Sequence, residues 1–421
     1  MHAPTAHSAP PAPAGPRPAE TRELGSGLAL AILVVLAASY VVNAMDRQVF
    51  PVLLPNINRD FGFSLAEGGL LSTIFTLGIG IGGIPSGYLL DRFSRKTVIL
   101  AGIVIYSVFT VLTAFSLAFF DMATYRSLTG VGEAMQNAAL FSAVGAYFYR
   151  RRAVALGSLN FAYGLGGFFG PLLGAQLFTA TGTWKTPFYV YGLAGLVFVV
   201  IIFVVVPKLF TEGVEDSRPA GGSADSMPAR LVNRNVVLGA LAAVVVGLSM
   251  YGYIGLYPTF LREQLGFSPE AAGFAASMFG LGALMGIPAG YLGDRFNQRW
   301  VIIIALVCGM AVGYLLFNVA RDAVTQDALS FLEGTFGSGF LFVNVYSFIQ
   351  RSVRPALIGR ASGLFVASLY LPSALAGYLF ALLVGQVSWG GAAIVQMVLL
   401  PIIGIVAMLL VDESRVYRAS S

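Results

Sequence analysis

Residues 83–99 (GIPSGYLLDRFSRKTVI) return at 286–302 (GIPAGYLGDRFNQRWVI), 203 positions later, with 11 of 17 positions identical and no gap. A repeat at that spacing divides a 421-residue chain into two related halves. In each copy an apolar run ends in Gly-Tyr-Leu-x-Asp-Arg-Phe, basic residues follow, and a new apolar run begins. The charged stretch therefore reads as a tight loop between two long helices. The background makes those helices membrane-spanning: 57% of residues are hydrophobic and 11% charged, with a mean hydropathy of +0.79, whereas soluble domains carry about 25% charge.

Windows of about 20 apolar residues predict helices near 26–50, 65–90, 97–118, 122–148, 153–180, 187–206, 235–260, 269–292, 300–320, 325–350, 361–386 and 390–411. The expected fold is an all-α polytopic membrane protein with twelve transmembrane helices. They form two pseudo-symmetric six-helix bundles, 25–206 and 235–411. Between them, 207–234 is polar and rich in Gly, Ser and Pro, which suits a flexible connector. Residues 1–24 are low-complexity and lack the basic-then-apolar order of a signal peptide, so they and 412–421 are expected to be cytoplasmic tails.

Of the 25 Lys and Arg, 19 lie in the termini, the connector and the even-numbered loops, including Arg92, Arg95, Lys96, Arg150, Arg151, Arg152, Arg295, Arg299, Arg351, Arg354 and Arg360. Arg59, Lys185, Arg262 and Arg321 fall in the opposite loops. The positive-inside rule then places both ends in the cytoplasm, and the chain is expected to be a multi-pass protein of the inner membrane and a monomer. The net charge of +5 describes contact with lipid headgroups rather than with nucleic acid. A lone cysteine, Cys308, excludes an intramolecular disulfide and a thiolate metal cluster. No nucleophile–base pair, metal cluster or phosphate loop is legible, so neither an enzyme nor a cofactor is expected.

Gly87-Tyr-Leu-Leu-Asp91-Arg92-Phe-Ser-Arg95-Lys96 resembles the loop signature between helices 2 and 3 of the major facilitator superfamily, with Ser94 where that family has Gly. The segment from Gly290 through Asp294 and Arg295 to Arg299 resembles its weaker echo between helices 8 and 9. The resemblance covers the membrane part, from Gly25 to about Asp412. It implies alternating access about a central site, and a conformational latch at Gly87, Asp91, Arg92, Arg95, Gly290, Asp294 and Arg295. From the residues alone, Gly87 permits close helix approach and Asp91 can meet donors of a neighbouring helix end, while the basic residues can equally fix topology on anionic lipid.

Ionisable groups at bilayer depth cost several kcal/mol unless paired or wet, so they are functional candidates. The first helix carries Asp46 and Arg47, placed late in its run, with Tyr40 and Asn43 on the face of Arg47. The fourth carries Arg126 and Glu133, seven apart and so on one face, with Gln136 and Asn137 continuing the stripe. Arginine offers a permanent charge and a two-donor fork for a carboxylate. A buried neighbouring acid can change protonation during a cycle, which makes Asp46 and Glu133 the expected proton-coupling groups. Both histidines lie in the first tail. The plainer alternative is that Asp46–Arg47 and Arg126–Glu133 are neutralising salt bridges.

Asn43-Ala-Met-Asp46-Arg47-x6-Leu54-Pro55 and Arg126-x3-Gly130-x-Gly132-Glu133 are similar to segments of the anion:cation symporters and the spinster-like lipid transporters. Ala44 departs from an aromatic there. This resemblance implies an anion ligand at Arg47 and proton sites at Asp46 and Glu133. In the fifth helix, Gly157-x8-Gly166-x3-Gly170-Pro171-x2-Gly174-Ala175 looks like the antiporter signature of drug/proton exporters, or serves as packing glycines only. In the second half, alignment sets Glu333 opposite Arg126 and Asn344 opposite Asn137. Tyr251, Tyr253, Tyr257 and Tyr370 are aromatic wall candidates.

The expected function is proton-coupled symport of a small organic anion bound by Tyr40, Asn43, Arg47, Arg126, Gln136, Asn137, Asn344 and Tyr370. The alternatives are a proton-driven exporter of amphipathic drugs or lysolipid-like molecules, and a non-transporting membrane sensor.

Overall fold

The computed structural model describes residues 24–148, 152–212, 230–354 and 357–416. Among the described residues there is no strand, and twelve long helical segments follow one another. In the first half they are α1 (Ser26–Phe61), α2 (Leu65–Thr73, resuming as Phe75–Arg92), α3 (Arg95–Thr113), α4 (Phe119–Tyr147), α5 (Arg152–Thr181) and α6 (Lys185–Val205). In the second they are α7 (Arg234–Glu263), α8 (Pro269–Ala283, resuming as Gly286–Arg295), α9 (Gln298–Asn318), α10 (Ala323–Arg351), α11 (Ile358–Val387) and α12 (Trp389–Leu409).

Eleven of these are long and apolar enough to cross a membrane. The other is α4, whose 29 residues include Asp121, Arg126, Glu133, Gln136 and Asn137. The first tail lies outside the described residues up to residue 23, as do most of the connector (213–229) and 417–421.

Side-chain caps start several helices. Ser64 accepts from the Glu67 N–H while Glu67 accepts from the Ser64 N–H, closing a reciprocal box at α2. Ser268 caps α8 by accepting from the Ala271 N–H. Asp322 does the same for α10 through the Thr325 N–H, which holds its carboxyl below the usual range.

The expected end of the first helix near residue 50 is wrong. Pro51 and Pro55 lie inside α1, which continues to Phe61. Proline removes one intrahelical hydrogen bond, but a helix packed among helices retains the rest of its ladder. The correction matters because Asp46 and Arg47 sit near the middle of a 36-residue helix and not late in it. Nor did the sequence announce the π-helical stretches Gly334–Phe342 in α10 and Ile394–Leu399 in α12.

Within the first half, α1 packs on α5, and α4 packs on both α2 and α3; the second half pairs α7 with α11 and α12, and α8 with α10. Across the halves, α2 meets α11, α5 meets α8, and α1 meets α7. These seams are made of small residues. A methyl at Gly280 would meet the backbone of Gly167, and one at Gly377 the backbone of Gly69. Helices with no apolar driving force between them in lipid gain from such close approach. Polar links also join the halves at that end, among them a Thr179–Glu270 side-chain hydrogen bond between α5 and α8. Thr73 donates to the Ala374 carbonyl at 2.9 Å, and Arg262 donates to Asn56.

Towards the end that carries Ser26 and Leu409, glycines of the same helices meet no such backbone. Gly87 on α2, Gly157 on α5, and Gly359 and Gly363 on α11 have open space where a side chain would project. The close backbone contacts between the halves thus lie toward the end far from the termini.

Candidate functional site

The charged residues of α1 and α4 meet in the buried middle of the first half. Ser39, Asn43, Asp46 and Phe50 recur at helical spacing along the side of α1 turned to α4. Asn43 donates to Gln136 at 2.8 Å, and Gln136 donates to Ser39 at 3.1 Å. Side chains on a helix lean towards its N-terminus. Arg47 accordingly turns back to donate to Asn43 at 3.3 Å and, through Nε, to Glu133 at 3.0 Å. Asp46, pointing a different way, takes the Arg126 Nη1 at 3.5 Å.

The pairs therefore run crosswise, Arg47–Glu133 and Arg126–Asp46, instead of the Asp46–Arg47 and Arg126–Glu133 pairs weighed from the sequence. Adjacent residues of one helix point about 100° apart, so Asp46 and Arg47 cannot readily face each other. All four are at most 2% exposed, which makes each pair a dehydrated one, costly to break from one side.

Their hydrogen-bonding capacity is only partly used. The Nε and Nη2 donors of Arg126 have no partner, and neither do Glu133 Oε1 and Asn137 Oδ1, while Asp46 also meets the Thr110 hydroxyl of α3. Nε and Nη2 form one edge of the guanidinium, the geometry that docks a carboxylate through two parallel bonds.

Aromatic rings box the arginines. Arg126 lies 5.1 Å from the Phe50 ring and 5.5 Å from Phe75; Arg47 lies 5.6 Å from Tyr163 and 6.0 Å from Phe75. Tyr40 stacks obliquely on Tyr163 at 6.2 Å. Phe75 continues the contact into the second half, 6.0 Å from Tyr251, whose ring is 5.9 Å from Tyr370. The site is thus walled by both halves.

Sequence reasoning missed Phe50, Phe75 and Tyr163. Phe50 could have been found, since it stands four residues from Asp46 on the same face. The other two carry no signal that separates them from core aromatics. Asn344 does not join the cluster: its amide donates to the Ala289 and Phe340 carbonyls and is committed to the packing of α8 on α10.

The Major Facilitator Superfamily profile matches residues 36–376 and, in a second overlapping match, 239–421. The chain belongs to the Major Facilitator Superfamily. Among its relatives in that superfamily, a hexuronate transporter of Bacillus subtilis is 24% identical over 322 residues, covering 72% of this chain and 76% of the relative. A sphingosine-1-phosphate transporter of Xenopus tropicalis is 27% identical over 236 residues. That match spans 55% of this chain and less than half, 46%, of the relative. The fold is similar to that of a bacterial homologue of the human lysosomal transporter spinster, solved inward-facing and unoccupied, with a TM-score of 0.75, 18% identity and coverage of 92% and 96% of the two chains.

The superfamily loops at the terminal end make contacts within their own halves. Arg92 stacks on Tyr88 at 4.4 Å, Arg95 donates to the Thr211 carbonyl, and Lys96 donates to the Phe203 and Val206 carbonyls that end α6. Gly87 and Asp91 are exposed. In the second copy Asp294 pairs with Arg351, Arg295 donates to Tyr291 at 2.9 Å, and Gly290 lies against Val343. Arg150 and Arg151, which follow α4 in the sequence, lie outside the described residues.

Proposed function

We propose that the chain is a secondary transporter carrying a small organic anion, a carboxylate, together with protons by alternating access. One observation supports this reading above the others: the Nε–Nη2 edge of Arg126 has no partner although the residue is fully buried. A carboxylate at that edge would share the guanidinium with Asp46, which holds Nη1. A second anion on the same guanidinium offsets part of the charge that holds Asp46 ionised, so Asp46 takes up a proton more readily, which couples anion to proton without a histidine. Glu133 and Arg47 form a second buried pair, with the Nε–Nη2 edge of Arg47 taken up by Glu133 and Asn43. The hexuronate relative carries an anion of this class. Positive-inside asymmetry makes the terminal end cytoplasmic in an inner membrane, and Asp91 and Asp294 belong to a latch that engages when that end closes.

A second reading keeps the site and changes the cargo. The sphingosine-1-phosphate relative and the aromatic walls around both arginines suit an amphipathic molecule with an anionic head.

The experiment is uptake into proteoliposomes, with radiolabelled D-glucuronate as one probe and sphingosine 1-phosphate as the other. Glucuronate accumulation that requires an inward proton gradient, and vanishes with a protonophore at clamped membrane potential, is the expected outcome. Movement of the lipid alone selects the second reading; gradient-independent flux of glucuronate removes the proton from the first.

A further inference from the structure

Among its described residues the second half holds one buried acid that the site above does not use. Glu333 ends the first segment of α10, Ala323–Glu333, and is 5% exposed. It continues a hydrogen-bonded face. Gln326 accepts from the Tyr257 hydroxyl at 3.0 Å, and Ser330, four residues on, pairs with the Tyr253 hydroxyl at 2.7 Å and donates to the Ala275 carbonyl at 2.6 Å. Glu333 is the next position on that face, and its Oε2 is buried with no partner.

Among the described residues the Glu333 carboxyl makes no ion pair and no side-chain hydrogen bond, and the titratable group beside it is Tyr253. Tyr253 itself lines a small cavity at the seam with Gln48 and Pro51 of α1.

Pseudo-symmetry shows what is unusual here. A shift of 207 positions (333 − 126 = 253 − 46) carries Arg126 onto Glu333 and Asp46 onto Tyr253. Where the first half has an ion pair, the second has an acid beside a phenol. Four charges in the first half cancel in pairs, and Glu333 has nothing to cancel it. An isolated carboxylate in apolar surroundings costs far more than its neutral acid, so a group so placed keeps its proton. Directly after it the helix widens into the π-helical stretch Gly334–Phe342, which contains Gly334, Gly337 and Gly339. Such insertions occur at functional sites, and three glycines make this one easy to rewind. Tightening it to an α-helix would turn the residues that follow by about 100° relative to Glu333.

We propose that Glu333 is a proton-exchanging group of the second half: a neutral carboxylic acid while closed off as here, and open to water in the alternate conformation, where its O–H bond breaks and water takes the proton. Its part in transport rests on the proton-coupled reading above, to which it adds one proton per conformational cycle beyond those on Asp46 and Glu133.

The test needs no substrate, so it can fail while anion uptake stands, and the reverse. Spin labels at Phe93→Cys and Gly359→Cys, in a Cys308→Ser background, report the separation of the halves at the terminal end in lipid. The equilibrium between open and closed is followed against pH with and without Glu333→Gln. Each linked proton changes that equilibrium about tenfold per pH unit. Loss of about one such factor in the glutamine variant is the result expected, and equal slopes overturn the proposal. Should the variant fail to reach the membrane, the unsubstituted protein is treated at neutral pH with an apolar carbodiimide, which attacks protonated buried carboxyls, and mapped by mass spectrometry. Modification at Glu333 supports the assignment; an unmodified Glu333 overturns it.

Discussion

At the scale of single residues, the crosswise pairs separate two roles that a salt bridge alone would merge. Arg126 touches Asp46 through Nη1 and leaves its Nε–Nη2 edge unused. Lysine at 126 keeps the charge and loses that edge. Charge-assisted hydrogen bonds contribute about 1.5–3 kcal/mol each, so Arg126→Lys should weaken glucuronate binding by about ten- to a hundredfold in calorimetry. Glu133→Gln imitates a permanently protonated acid; it should keep counterflow exchange and lose uphill accumulation. Normal binding by the first variant together with normal accumulation by the second would leave the four charges a structural role only. Stability gives an independent check. Removing one partner of a buried pair costs about 3–5 kcal/mol, whereas replacing both by apolar residues is close to neutral. Glu133→Ala should therefore lower the melting temperature markedly, and the Arg47→Met, Glu133→Leu double variant should recover it while remaining without transport. A double variant as unstable as the single one would contradict this.

At the scale of elements, helix count and the charged faces of α1 and α4 were legible because hydropathy and 3.6-residue periodicity are local properties. What was illegible depends on partners far away in sequence. Glu133 could not be assigned to Arg47 instead of Arg126 without knowing how α1 and α4 face each other. Pro51 misled because the breaker rule describes helices in water, and the π-helical turns of α10 and α12 leave no mark in composition. The breaks in α2 and α11 were equally hidden, yet they coincide. The first part of α2 ends at Thr73, α11 breaks between Ser373 and Ala376, and the Thr73 hydroxyl links them. It donates to the Ala374 carbonyl and accepts from the Gly377 N–H at 3.3 Å. Thr73→Val keeps the shape and removes both bonds, a loss of about 1 kcal/mol. The equilibrium should move about fivefold away from closure at the far end, read as a longer distance between labels at Thr181→Cys and Glu270→Cys. An unchanged distribution would mean that the hydroxyl only repairs the break in α11.

At the scale of the whole molecule, two seams close the far end, α2 against α11 and α5 against α8, and each depends on glycine facing glycine. If the halves rock as rigid bodies about the central site, the seams cannot open separately. A methyl group at Gly280 would overlap the backbone of Gly167 and Phe168, and backbone, unlike a flexible side chain, cannot swing aside. Gly280→Val therefore forces α5 and α8 apart. In lipid the surfaces so exposed lose close packing but gain no contact between apolar groups and bulk water, so the parted state is accessible without unfolding. The consequence to measure lies at the other seam. Labels at Leu65→Cys and Val387→Cys, at the far ends of α2 and α11, should move apart in the Gly280→Val protein although neither residue adjoins the substitution, and uptake should fall because the far end no longer closes. Separation confined to α5 and α8 would mean that each seam bends by itself, and the two breaks at Thr73 and Ala374 would then be hinges inside a flexible half instead of features of a rigid one.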